Sequence, residues 1–227
     1  MTDLINALLV TILVLNLFAL GTSRIQSVIR IVAAQGALLG LIMLLSHESP
    51  SFPVVLSAAA AVLIKAVVIP AVMMRSLRSA EIKREVEPFI GFLPSIVLGA
   101  AATAIALLVF QALAGPIGAG TGARLAATQL AARAPSLLIP ASIATVFVGF
   151  LILVSRFKAI TQVLGYLVLE NGIYIFGILL VEAIPLVVEM GMLLDLFVGV
   201  FVISIITNHI NRAFSSMDTR RLVSLKE

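Results

Sequence analysis

Stretches of about twenty apolar residues recur along this chain, broken by short polar or basic segments, and nothing else in the sequence constrains the fold as strongly. A helix of about 20 apolar residues crosses the hydrocarbon core of a bilayer. Seven segments reach that length, near residues 4–21, 27–45, 54–75, 89–113, 136–154, 159–181 and 188–209. Lipid offers no hydrogen-bond partner to an open backbone, so the expected fold is all-α: a polytopic membrane protein of seven transmembrane helices. Composition agrees where it matters. Only 11% of the 227 residues are charged, against about 25% in soluble domains. Cysteine is absent, which excludes disulfides, thiolate metal sites and cysteine nucleophiles. The net charge of +4 does not point to nucleic acid, because the basic residues sit in short loops with no interleaved aromatic patch.

Local signals mark the helix edges. Ser51 followed by Phe52-Pro53 reads as a helix start with proline in the first turn. Pro94 and Pro140 also fall in first turns, where the missing N–H does no harm. The run Leu4–Leu20 is preceded only by Asp3, without the basic residues of a signal peptide, and is read as a retained first helix.

Basic residues predict the orientation. Arg24 and Arg30, then Arg75, Arg78, Lys83 and Arg84, then Arg156 and Lys158, and the tail with Arg212, Arg220, Arg221 and Lys226, all fall on one side of a seven-helix chain. The other side has Arg124 and Arg133, with His47, Glu48, Glu182 and Glu189 in its remaining loops. The positive-inside rule puts the N-terminus outside and the C-terminus in the cytoplasm.

The order of features repeats. Residues 1–78 run helix, Ser23-Arg24, a helix with Gln35, an acidic outer loop and a helix with Lys65. Residues 136–211 run helix, Ser155-Arg156, a helix with Glu170, an acidic outer loop and a helix with Asp195. Two parallel three-helix repeats are expected, joined by a spacer helix and outer loop over 79–135 and followed by a tail over 212–227. Gly99 to Ala102 with Ala104 and Ala106 make a small-residue face on the spacer helix, suited to close packing. Residues 123–134 are expected to form a short surface helix.

Three ionisable residues interrupt the apolar runs: Lys65, Glu170 and Asp195. A charged residue at a helix midpoint costs about 2.5–3.5 kcal/mol on insertion scales. Lys65 lies too deep to snorkel, and Pro70 loosens the helix beside it. Glu170 has Tyr166 one turn before it and Tyr174 one turn after, with Asn171 adjacent and Gly165, Gly172 and Gly177 nearby. These residues serve either as protonatable relay groups or as a static charge pair that locks helices together. Gln35 reads as interhelical glue, with ordering of water as the other role. His47 and His209 are isolated at helix boundaries, and no metal site, cofactor motif, phosphate loop or nucleophile constellation is present. No catalysis is expected from this chain alone.

The second triplet resembles the three-helix K subunit of respiratory complex I and the C subunit of multisubunit cation/proton antiporters, which keep an acidic residue in each of their last two helices. The whole chain more closely resembles the hydrogenase-4 component E family of group 4 membrane-bound NiFe hydrogenases and formate hydrogenlyases. The matching stretches are Gln35, Lys65 with Pro70 after it, LGYLVLENG at 164–172, EMGMLLD at 189–195 and LVSLK at 222–226. The first triplet departs from the three-helix pattern, with Gln35 and Lys65 where acids would stand. The resemblance implies a non-catalytic subunit of an energy-converting oxidoreductase in a prokaryotic cytoplasmic membrane, with Glu170, Asp195 and Lys65 on a path for H⁺ or Na⁺. It implies antiporter-like subunits and a membrane anchor subunit as partners, with the peripheral NiFe and iron–sulfur subunits contacted indirectly. A standalone secondary transporter and a purely structural assembly subunit are the alternatives.

Overall fold

A computed structural model of the chain describes residues 1–46, 52–79, 89–114 and 135–180. The seventh expected span with Asp195, the loop residues His47, Glu182 and Glu189, the helix over 123–134, and the tail lie outside the described residues. Regular structure among the described residues is entirely helical. The elements are α1 (Thr2–Gly21), α2 (Ile25–Leu45), α3 (Phe52–Val62), a π-helical turn (Leu63–Val68), α4 (Ile69–Ser79), α5 (Phe92–Ala114), α6 (Leu138–Ser155) and α7 (Ala159–Leu180). Among the described residues, six spans are long and apolar enough to cross a membrane, the third running through α3, the π turn and α4. The chain is a multi-pass membrane protein, and these six spans lie close to the first six expected segments.

Helices α1 and α2 form one hairpin and α6 and α7 another, each closed by a three-residue turn. Both turns use extended backbone, with φ −99° and ψ 117° at Arg24 and φ −116° and ψ 136° at Arg156. Glycines bring the α6–α7 pair together. A Cβ on Gly149 would collide with the backbone of Leu169, one on Gly165 would lie 2.6 Å from the Leu153 nitrogen, and one on Gly172 would lie 2.6 Å from the Val146 nitrogen. On α2, Gly36 and Gly40 are spaced as in small-xxx-small interfaces and face the third span: a Cβ on Gly40 would strike Val62. Lipid tails are as apolar as leucine, so such close backbone approach, more than removal of apolar surface from water, holds these helices.

The π turn has a local cause. Pro70 has no N–H to give the carbonyl of Ala66, and the ladder widens just before it, with the Ile69 N–H donating to Ile64 O five residues back. Lys65 sits inside this wide turn and shares a buried face with Ile69, Met73 and Leu77.

The spacer helix α5 corrects one expectation. Its buried stripe is Ser95, Gly99 and Ala106, whereas Ala100, Ala101 and Ala104 are exposed. Helical spacing selects one residue per turn from an all-small run, and Gly99 is the one that meets Leu20 of α1.

Buried apolar residues fall into two clusters. One gathers around Leu20, Ile25, Ile29, Met73, Ile152 and Leu164, near the two hairpin turns. The other gathers around Leu9, Ile12, Leu39, Ile42, Leu138 and Ile175, toward the opposite end. Between them lies a polar layer.

Candidate functional site

Each helix of the two hairpins contributes to that layer at the point where its stripe passes from one apolar cluster to the other. On α1, Asn16 lies between Ile12 and Ala19; on α2, Gln35 lies between Val32 and Leu39. On α6, Thr145 lies between Ala141 and Val148; on α7, Glu170 and Asn171 lie between Val168 and Ile175. Lys65 enters from the π turn, between Ala58 and Ile69. All six are buried.

The side chains join in a single row. Thr145 Oγ1 donates to Ala141 O at 2.7 Å and accepts from Asn16 Nδ2 at 2.9 Å. Asn16 Oδ1 accepts from Gln35 Nε2 at 2.8 Å, and Gln35 Oε1 accepts from Asn171 Nδ2 at 3.3 Å. Asn171 Oδ1 faces Lys65 Nζ at 3.4 Å, and the ammonium lies 3.5 Å from Glu170 Oε1. The row therefore crosses five segments and ends on a buried ion pair between the first and second halves of the chain.

Two further groups shape the pair. The Tyr174 ring lies beneath the ammonium, 5.0 Å from its centroid, within cation–π range. Its hydroxyl donates to Met43 Sδ at 2.8 Å, which fixes the ring against α2. Gly36 lies against the base of the lysine: a Cβ there would come within 2.8 Å of Lys65 Cβ and 3.0 Å of its carbonyl carbon. Without a side chain at 36, the lysine stem packs on the α2 backbone and its head reaches α7.

Of the residues singled out from sequence, Lys65, Glu170, Asn171, Gln35 and Tyr174 converge here. Tyr166 is half-buried on the same α7 face, one turn from Glu170. Asp195 lies outside the described residues. Gln35 of α2 is bonded to Asn16 of α1 and to Asn171 of α7. Sequence reasoning missed Asn16 and Thr145. Asn16 left a signal, an amide at the middle of the first helix, open to the reading already given to Gln35. Thr145 left none, since threonine in a membrane helix commonly satisfies itself on the carbonyl four residues back.

Arg156 lies in the turn between two helices, where the sequence places it, yet it is 3% exposed, with Nη2 donating to Leu20 O at 2.8 Å and the guanidinium 5.1 Å from the Phe92 ring centroid. The last carbonyls of α1 have no acceptor role left within the helix, and the arginine satisfies one of them. Burial lowers the pKa of this guanidinium from its ordinary value. The Phe89 N–H donates to Ser155 O at 2.7 Å, and the Phe89 ring meets Phe157 edge-on. The ends of α1 and α6 and the start of α5 are thereby tied together. Among the described residues no group of histidines and carboxylates is arranged to hold a metal ion.

The chain is 28% identical over 205 residues to an uncharacterized protein of Mycobacterium tuberculosis, covering 89% of this chain and 87% of that one. It is 32% identical over 78 residues to hydrogenase-4 component E of Escherichia coli K12 and equally so to that of Shigella flexneri. Those matches span 34% of this chain and 36% of those relatives. No family model and no solved structure matches. A multi-pass helical chain with this partial similarity is compatible with a membrane subunit of a hydrogenase-like complex.

Proposed function

We propose that this chain is a non-catalytic membrane subunit of an energy-converting, hydrogenase-like oxidoreductase complex, in which Glu170 and Lys65, with Asp195, contribute to a path for H⁺ or Na⁺. The ion pair between Lys65 and Glu170 is the observation that carries the reading. Its separation of 3.5 Å is longer than a closed charge-assisted bond of about 2.7–2.9 Å, and the Asn171 contact at 3.4 Å is long as well. The two side chains are thus near enough to interact without being locked in a closed bond.

The setting supports the same reading. Apolar clusters above and below confine exchange to the polar layer, and the π turn at Lys65 is a form of irregularity common at functional sites. The two matching hairpins, each with a Ser-Arg turn, support the parallel repeats and the cytoplasmic placement of those turns. Partners are then antiporter-like subunits and a membrane anchor within a prokaryotic cytoplasmic membrane, and exposed apolar faces on α3 and α5 leave surface for lipid or such neighbours.

The test is Glu170→Gln in the assembled complex. The expected outcome is normal assembly with proton pumping, or the redox activity coupled to it, lost. Unchanged pumping would transfer the pair to the second reading, a static lock, which the continuous amide row through Gln35 and Asn16 favours.

A further inference from the structure

The donors in the polar layer all point one way. An ammonium can only donate, so the Asn171 atom facing Lys65 is its oxygen, and its Nδ2 is left to donate to Gln35 Oε1. Gln35 repeats the arrangement toward Asn16, Asn16 repeats it toward Thr145, and the threonine hydroxyl passes its hydrogen to Ala141 O. Turning any one amide over would place NH₂ against NH₂ or oxygen against oxygen. Asn16, Gln35 and Thr145 are 0% exposed and Asn171 is 2% exposed, so no bulk water is at hand to repair such a mismatch. In so dry a setting aligned amide dipoles reinforce one another.

We infer that Asn171, Gln35, Asn16 and Thr145 form a fixed-polarity positioning row, which presents aligned acceptor ends to Lys65 and holds its ammonium at Glu170 from across the bundle. The row is a dead end for protons. Carboxamides have no second protonation state near neutral pH, and the last hydrogen is committed to a helix carbonyl. Residues on other helices thereby set the geometry at the Lys65–Glu170 end. Thr145 and Asn16 touch neither charge. They act through Gln35 and Asn171, and are positioning residues.

The inference shares the ion pair with the proposed function but does not require translocation, so its test reads the lysine rather than pumping. The chain has four lysines, Lys65, Lys83, Lys158 and Lys226. In the full chain reconstituted in lipid vesicles with ¹⁵Nζ-labelled lysine, Lys65→Arg identifies the Lys65 resonance by its disappearance. Thr145→Val keeps the shape of the side chain and removes the hydroxyl; it is expected to displace or broaden the Lys65 resonance beyond its linewidth and leave the other three in place. Gln35→Leu is expected to do so more strongly, whereas Thr145→Ser, which restores the hydroxyl, returns the resonance to its original position. Ile12→Ala loosens packing one turn from Asn16 without touching a hydrogen bond, and should leave it unmoved. A Lys65 resonance indifferent to both Thr145→Val and Gln35→Leu would overturn the proposal. So would equal displacement by Ile12→Ala, which would mark the row as ordinary packing.

Discussion

Lys65 Nζ lies 3.5 Å from Glu170 Oε1, with the lysine 6% exposed and the carboxylate side chain 8% exposed. The two residues come from different halves of the chain, so this contact ties the third span, as the amide bonds of the row tie α1 and α2, to the α6–α7 hairpin at the level of the polar layer. Removing one partner leaves the other charge buried without its counter-ion, a loss of about 3–5 kcal/mol. Lys65→Met and Glu170→Leu are each expected to destabilise the protein in detergent by that order. The double variant should be clearly less destabilised than the sum, as read by a double-mutant cycle from denaturant titrations.

Gly36 and Gly177 make opposite forecasts from the same substitution. A Cβ on Gly36 would press on the base of Lys65 and the backbone of the π turn, whereas one on Gly177 would meet nothing within 4 Å. Gly36→Ala is expected to destabilise by about 1–3 kcal/mol through overpacking. Gly177→Ala should be neutral or stabilising by about 0.5–1 kcal/mol, as for alanine replacing glycine inside a helix. Thermal melting of the two variants in the same detergent decides it.

Gly172→Ala is a harsher change. The added methyl would come within 2.6 Å of Val146 N and 2.9 Å of Ser142 O, backbone atoms that cannot rotate away. The α6–α7 pair must then separate, carrying Glu170 and Asn171 with it. A loss of about 2 kcal/mol or more is expected. Faster backbone amide exchange along α6 and α7 than along α1 would report the separation.

Pro70→Ala restores an N–H able to reach the Ala66 carbonyl. The π turn over Leu63–Val68 is then expected to relax toward α-helical register, turning Lys65 off its face while the fold stays intact. The relief of a proline inside a helix, worth about 3 kcal/mol or more when the backbone can use it, makes a large loss of stability unexpected. The check is a displaced Lys65 ¹⁵Nζ resonance at unchanged or raised melting temperature. An unmoved resonance would assign the π turn to packing instead of to the proline.

Hydrophobic runs of spanning length pointed, by themselves, to a helical chain that crosses a membrane several times, and to the approximate positions of its first six spans, because a bilayer leaves the backbone almost no other choice. The cost of charge in lipid singled out Lys65 and Glu170 for the same reason, and the missing N–H of Pro70 was enough to expect a weakened helix beside the lysine. Tertiary structure decided what those residues face. No periodicity in α2 or α7 announces that Glu170 meets Lys65, that Asn16 and Thr145 complete the row, or that Arg156 is buried against Leu20. Those pairings depend on which helices approach closely enough, and that is settled by glycines at 36, 40, 149, 165 and 172 meeting particular backbones. A polar side chain in a membrane helix must find a partner; only the packing of the other helices says which one.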